Sequence, residues 1–260
     1  MLFSQLSKSP RFWVALASLV VVFVLSEKAP QAATDFSTLN QVAVDALVQT
    51  GALEFDFRPM VSAYPLGSMV GVDLGLDTTF VGRPKAFVDA MTSVSGNSNV
   101  SIPPLPRLNL HKGLPWGIDV GFSYMGYQGN SVTGFDLKWA LLSGSIVSPA
   151  LALRASYNSL VSPLVYVSAR TSKFDVLVSQ NITPFFSPYL GGGMQIYSGS
   201  IDVPADAIGL PIGIVGQSNG SAPHVFAGLP INLFILRLTG EYDHSFLTGG
   251  SFASKVSLAF

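Results

Sequence analysis

The chain has 260 residues, a formal net charge of −1, no cysteine, and only 11% charged against 48% hydrophobic residues. Soluble domains average about 25% charged residues, so water is not the only solvent this composition suits. The zero cysteine count excludes disulfides, thiolate metal sites and lipoprotein attachment. The near-neutral balance offers no basic stripe, so nucleic acid is not an expected partner.

At the N-terminus, Lys8 and Arg11 precede an uncharged stretch from Phe12 to Leu25, closed abruptly by Ser26-Glu27-Lys28. The stretch is shorter than the roughly 20 residues that a helix needs to cross about 30 Å of hydrocarbon. It therefore reads as the core of a signal peptide, residues 1–33, cut near the small pair Ala32-Ala33.

Residues 34–67 form a lead-in segment. Ser37 is placed to cap a helix that runs to about Thr50 and stops at Gly51, with Phe36, Leu39, Val42, Ala43, Ala46 and Leu47 as its apolar stripe. Such a stripe needs cover. The alternatives are a plug in a lumen, a cap under a periplasmic mouth, or a helix lying on the membrane surface. Leu53, Phe55 and Phe57 alternate as a short additional strand, and Tyr64-Pro65-Leu66-Gly67 reads as a turn.

From Ser68 onward the pattern is period two. Val70, Val72, Leu74 and Leu76 oppose Gly71, Asp73, Gly75 and Asp77; Ile118, Val120, Phe122 and Tyr124 oppose Gly117, Asp119, Gly121 and Ser123. Phe135, Leu137, Trp139 and Leu141 oppose Gly134, Asp136, Lys138 and Ala140, and Leu151, Leu153, Ala155 and Tyr157 oppose Ala152, Arg154 and Ser156. Further segments follow at Phe174 to Val178, Leu190 to Ile196, weakly at His224 to Leu229, and at Leu236 to Tyr242. The last runs through Phe252, Ser254, Val256, Leu258 and Phe260 against Ser251, Ala253, Lys255, Ser257 and Ala259. Beyond the signal peptide no uncharged run reaches helical spanning length, and a closed barrel is the other structure that satisfies its backbone in lipid. A secreted sandwich would leave more charge on its outer faces. The expected fold is an all-β, transmembrane, antiparallel up-and-down barrel over residues 68–260, with about ten strands in a bracket of eight to twelve.

Link lengths set direction. Pro-bearing links at Gly113-Leu114-Pro115-Trp116, Ser148-Pro149, Thr183 to Pro188 and Leu229-Pro230-Ile231-Asn232 read as periplasmic turns, while Gly82 to Pro106 and Gly199 to Pro223 read as outer loops. The first of those loops carries Phe87, Ala90, Met91 and Val94 at helical spacing.

Nearly every charge falls on the small-residue face, because a Lys or Arg facing lipid at the bilayer midplane costs about 2–4 kcal/mol. The predicted lumen lining is Asp73, Asp77, Asp119, Asp136, Lys138, Arg154, Lys173, Asp175, Arg237, Glu241 and Lys255. The signs nearly cancel and form no ring of one sign, so a strongly ion-selective filter is not indicated. The glycines at 71, 75, 117, 121, 134, 191 and 193 either widen the interior or ease strand curvature. Asp243-His244-Ser245, placed at the outer end of the tenth strand, is the one local cluster of hydrolase type. Neighbouring strand residues point to opposite faces, so the three do not converge as a triad. His111 and His224 read as isolated interfacial groups, and no metal spacing occurs. No cofactor is expected.

The stretches from Leu114 to Gly121, Pro149 to Tyr157, Ser187 to Gly193 and Ala227 to Leu233 resemble a poorly characterised family of proteobacterial outer-membrane β-barrels, over about Phe55 to Phe260. The resemblance implies an outer-membrane location but no particular activity. It also implies that Val256, Leu258 and Phe260 serve as the signal read by the barrel-assembly machinery, although Ser254 and Lys255 stand where a glycine is often found. The expected partners are outer-membrane lipid, that machinery, and small solutes. Two functions fit: a passive pore for small or apolar solutes, and a closed structural or surface-interaction barrel. An outer-membrane hydrolase is the remote third.

Overall fold

A computed structural model describes residues 41–54, 56–67, 70–82, 85–95, 106–127, 129–162, 167–183, 185–203 and 214–260. The signal peptide, Ser37, Phe36, Leu39 and Phe55 lie outside the described residues. Among those described, the elements run α1 Gln41–Glu54, β1 Val72–Val81, α2 Lys85–Ser95, β2 Pro106–Gly113, β3 Ile118–Tyr127, β4 Asn130–Leu142 and β5 Ala150–Ser162. They continue with β6 Val167–Ser179, β7 Tyr189–Val203, β8 Ile214–Leu233, β9 Leu236–Ser245 and β10 Gly249–Ala259.

Each strand pairs antiparallel with the next, and β1 pairs with β10, so ten strands close a barrel. Closure runs from Asp73↔Ala259 to Val81↔Ser251. It is finished by two backbone bonds between Val72 and Phe260, 3.2 and 2.9 Å long. No sheet edge is left for edge-to-edge aggregation.

Alternation sorts the side chains by solvent. Leu137, Trp139, Phe174, Val176, Leu190, Ile196, Val225, Tyr242, Phe252, Val256 and Leu258 are exposed on the outside, while the charged residues between them are buried inside. An apolar exterior around a charged interior is the arrangement expected of a barrel that spans lipid.

One end of the barrel, the turn end, holds the start of β1, the end of β10, and the links 114–117, 143–149, 180–188 and 234–235. The first of these contains a 3-10 turn over Pro115–Gly117 in which Trp116 has φ +64°. The opposite, loop end holds the end of β1, the start of β2, the ends of β3, β5 and β7, the starts of β4, β6 and β8, and the link 246–248.

Several local expectations change. β8 is a 20-residue strand containing both Pro223 and Pro230, so Leu229 to Asn232 is strand and the turn falls at Phe234-Ile235. The expected loop from Gly199 to Pro223 shrinks accordingly, because β7 and β8 stay paired out to Val203↔Ile214. Polar side chains at Ser198, Ser200, Gln217 and Asn219 hide that extension from a hydrophobicity reading, but backbone pairing does not depend on them. Asp243-His244-Ser245 end β9, not a tenth strand. The predicted loop helix is present as α2, with Phe87 and Ala90 packed inward.

Candidate functional site

The lumen is occupied by the chain's own residues 41–67. Helix α1 sits at the loop end, where Ala43, Val44, Leu47, Val48, Ala52 and Leu53 join one apolar cluster with Met125, Val132, Leu160, Ala169, Tyr197 and Ile201 of the wall and Ala90 of α2. Gln41 Nε2 donates to the Gln217 carbonyl at 3.0 Å, near the start of β8. The helix differs from the expected one. Gly51 does not end it, since Ala52 and Leu53, both 1% exposed, hold a further turn against the wall. Val42 leaves the predicted stripe and is 71% exposed, while Val44 and Val48 are buried. A helix wrapped by a barrel buries most of its circumference, so a one-sided stripe no longer describes it. Gly216 makes room for it, because a Cβ there would lie 2.7 Å from a methyl of Val44.

After Glu54 the chain carries no regular secondary structure and descends through the barrel, with Met60 at φ +49°. Leu53 belongs to α1 and Phe57 to this descent, so neither forms the expected short strand. Phe57 is fully buried and stacks on His111, with ring centroids 5.9 Å apart. The glycine at 134 is explained here: a Cβ would come within 2.7 Å of Phe57, so this position makes space for the plug. Tyr64 to Gly67 is not a link between strands; it is where the descent reaches the turn end, with Leu66 N donating to Asp119 at 3.1 Å.

The wall holds the descending segment mainly by its main chain. Carbonyls of Asp56, Pro59, Ser62 and Tyr64 accept from Arg107 (2.7 Å), Lys255 (3.2 Å) and Lys138 (2.6 and 2.7 Å). Thr171 donates to the Ala52 carbonyl, and Ala63 N donates to Ser179 Oγ at 2.7 Å. Two plug side chains add charge. Asp56 pairs with Lys173 and with Arg58 Nε at 3.3 Å, and Arg58 Nη2 donates to Ser251 Oγ at 2.6 Å. These contacts come from β2, β4, β6 and β10, so the segment is held from several sides of the wall.

Asp73, Asp77, Asp119, Asp136, Lys138, Arg154, Lys173, Asp175, Glu241 and Lys255 are buried, and Arg237, at the turn end, keeps 22% of its side chain exposed. They fall into local pairs. Asp73 takes Lys255 at 2.9 Å and Arg237 at 2.8 Å; Asp119 takes Lys138 at 2.9 Å; Asp77 accepts from Asn109. Arg154 contacts Asp175 through Nε and Nη2 at 2.9 and 2.8 Å, and its guanidinium lies 4.7 Å over the Phe226 ring. Tyr189 donates to Glu241. Buried charges are tolerated where such partners replace water.

Two histidines were misplaced by sequence reasoning. His111 and His224 are buried in the lumen, not interfacial: His111 Nε2 meets Asp136 at 3.0 Å, and His224 bridges Asp175 (Nε2, 2.8 Å) and Asp243 (Nδ1, 3.2 Å). Arg107, Asn109 and Gln195 also line the wall unforeseen. The signal was there, because Arg107, Asn109 and His111 alternate with Leu108 and Leu110 in β2. Asp243 points inward and His244 stacks edge-on against Phe246, so the Asp-His-Ser run does not converge. Both nitrogens of His224 are taken by carboxylates, which leaves neither to activate a hydroxyl. Among the described residues no group of His, Asp or Glu is arranged to hold a metal ion.

Val256, Leu258 and Phe260 lie on the outer face of the closing strand and its end, 48%, 39% and 56% exposed.

The molecule is therefore a closed antiparallel barrel of ten strands with a helix near its N-terminus inside the lumen. No protein-family model matches the chain, and no curated protein matches it. Among solved structures it is similar to the KdgM porin, at 11% identity over 74% of this chain and 99% of that one, with a TM-score of 0.37. It is also similar to Ail, the attachment invasion locus protein of Yersinia pestis, at 13% identity over 73% and 97%, TM-score 0.31. A third is Omp33 of Acinetobacter baumannii, at 6% identity over 74% and 98%, TM-score 0.33. At these scores their activities say nothing about this chain.

Proposed function

We propose that this is a bacterial outer-membrane protein whose barrel is closed by its own N-terminal segment, and that it serves as a structural or surface-interaction barrel. The observation that carries the reading is the threaded lumen: α1 fills the loop end, and the residues below it are hydrogen-bonded to the wall down to Asp119. The location is supported by the apolar exterior and by closure on β10, whose outward residues Val256 and Leu258, with Phe260, are suited to the barrel-assembly machinery. Export by a cleaved signal peptide belongs to the same proposal.

A second reading, a passive pore for small solutes, is favoured by one observation. The wall around the plug is charged and polar, so a lumen that lost residues 41–67 would hold water rather than collapse as an apolar core. Single-channel recording in a planar bilayer tests both, with heat-dependent gel migration to establish that the barrel has closed. The closed reading expects silence from the full mature chain. Discrete steps from that chain would replace it with the pore.

A further inference from the structure

Resting on the outer-membrane reading above, we infer that the lumen is a holder for polypeptide backbone and that it presents the beginning of α1 at the loop face of the barrel, the cell exterior. The polarity of the plug carries this. Gly67 leaves the lumen at the turn end, whereas Gln41 lies at the loop end against Gln217, so the described segment passes through nearly the whole barrel. Its first residues are the ones that emerge: Gln41 and Val42 are exposed, while Ala43, Val44 and Val48 are enclosed.

The chemistry of the grip fits a carried chain. Arg107, Lys255 and Lys138 meet carbonyls, and Ser179 and Asp119 meet amides. Main-chain groups are common to every sequence, so these contacts recognise backbone, while Asp56, Phe57 and Arg58 add contacts through their side chains. A solute channel has no need of donors spaced along a peptide.

The chain contains no cysteine, so single-cysteine variants report position without background. Val42→Cys tests the inference, Leu247→Cys marks the loop end, and the exposed Val147→Cys marks the turn end. Each is made in the full chain, checked for heat-dependent migration, and treated in intact cells with a membrane-impermeant maleimide. The expected result is labelling at Val42→Cys comparable to that at Leu247→Cys, with Val147→Cys labelled only after the outer membrane is opened. Labelling at Leu247→Cys without Val42→Cys overturns the inference and leaves the outer-membrane reading standing. Labelling at Val147→Cys with neither loop-end position means the barrel sits the other way up and overturns the inference through its orientation.

Discussion

The two halves of the plug are held by different physics. At the loop end α1 is bound as a core helix is, by burying Val44, Val48 and Leu53 against an apolar collar. Toward the turn end residues 56–66 form no regular element; Phe57, Met60, Val61 and Ala63 are buried there too, and charged wall side chains on peptide carbonyls add fixed, directional contacts. Apolar contact is non-directional and tolerates sliding, whereas hydrogen bonds from fixed positions set a register. The collar thus keeps the plug in, and the charged wall decides where it stops.

The largest expected effect comes from abolishing both halves at once. Removing residues 41–67 is expected to convert a silent barrel into one with discrete conductance steps, read in the same planar bilayer as the full chain. Continued silence from a well-folded deletion would show that the wall closes the lumen without the plug.

The halves are then separated by single changes. Lys138→Met leaves Asp119 buried without its cation and frees two plug carbonyls, so a loss of about 3–5 kcal/mol is expected from urea midpoints, accompanied by brief openings. In the apolar half Leu53→Ala is expected to cost about 2–5 kcal/mol through the cavity it leaves. It should leave the charged register intact and the recordings silent. Openings from Leu53→Ala but not from Lys138→Met would reverse the assignment of the two roles.

Outside the lumen, Phe174→Arg places a cation on the lipid-facing side of β6 and is expected to cost about 2–4 kcal/mol when unfolding is measured in bilayers, with no change in conductance. Smallest of all is Lys85→Ala in α2, which removes an exposed ion pair with Asp89 four residues along the helix. No measurable shift in stability is expected there, because solvent screens such pairs.

Much of the barrel is legible in the sequence, because strand alternation is a local rule: with lipid outside, each neighbouring pair must split into one apolar and one small or polar residue. That rule identifies inward charges such as Asp119, Lys138 and Arg154 without any structure. It also foretells closure, since an open edge in lipid leaves backbone groups unpaired. It fails where the local signal is weak. β8 carries two prolines, and its paired extension with β7 is rich in serine and glycine, so that stretch looks like a loop until its partner strand is known. The histidines fail for a related reason: His111 and His224 gain meaning only when Asp136, Asp175 and Asp243 arrive from other strands.

The sequence raises a plug as one of three placements for the helix, and tertiary structure chooses it. By itself the sequence called for a helix from Ser37 to about Thr50 with apolar surface to cover, and for charges on the inner face of the barrel wall. Which end of the barrel the helix fills, and that the following residues descend along wall donors, depended on the closed cylinder. A partner that encircles a segment replaces one-sided amphipathicity with burial all round, and long side chains that reach a backbone leave no periodic trace in the segment they hold.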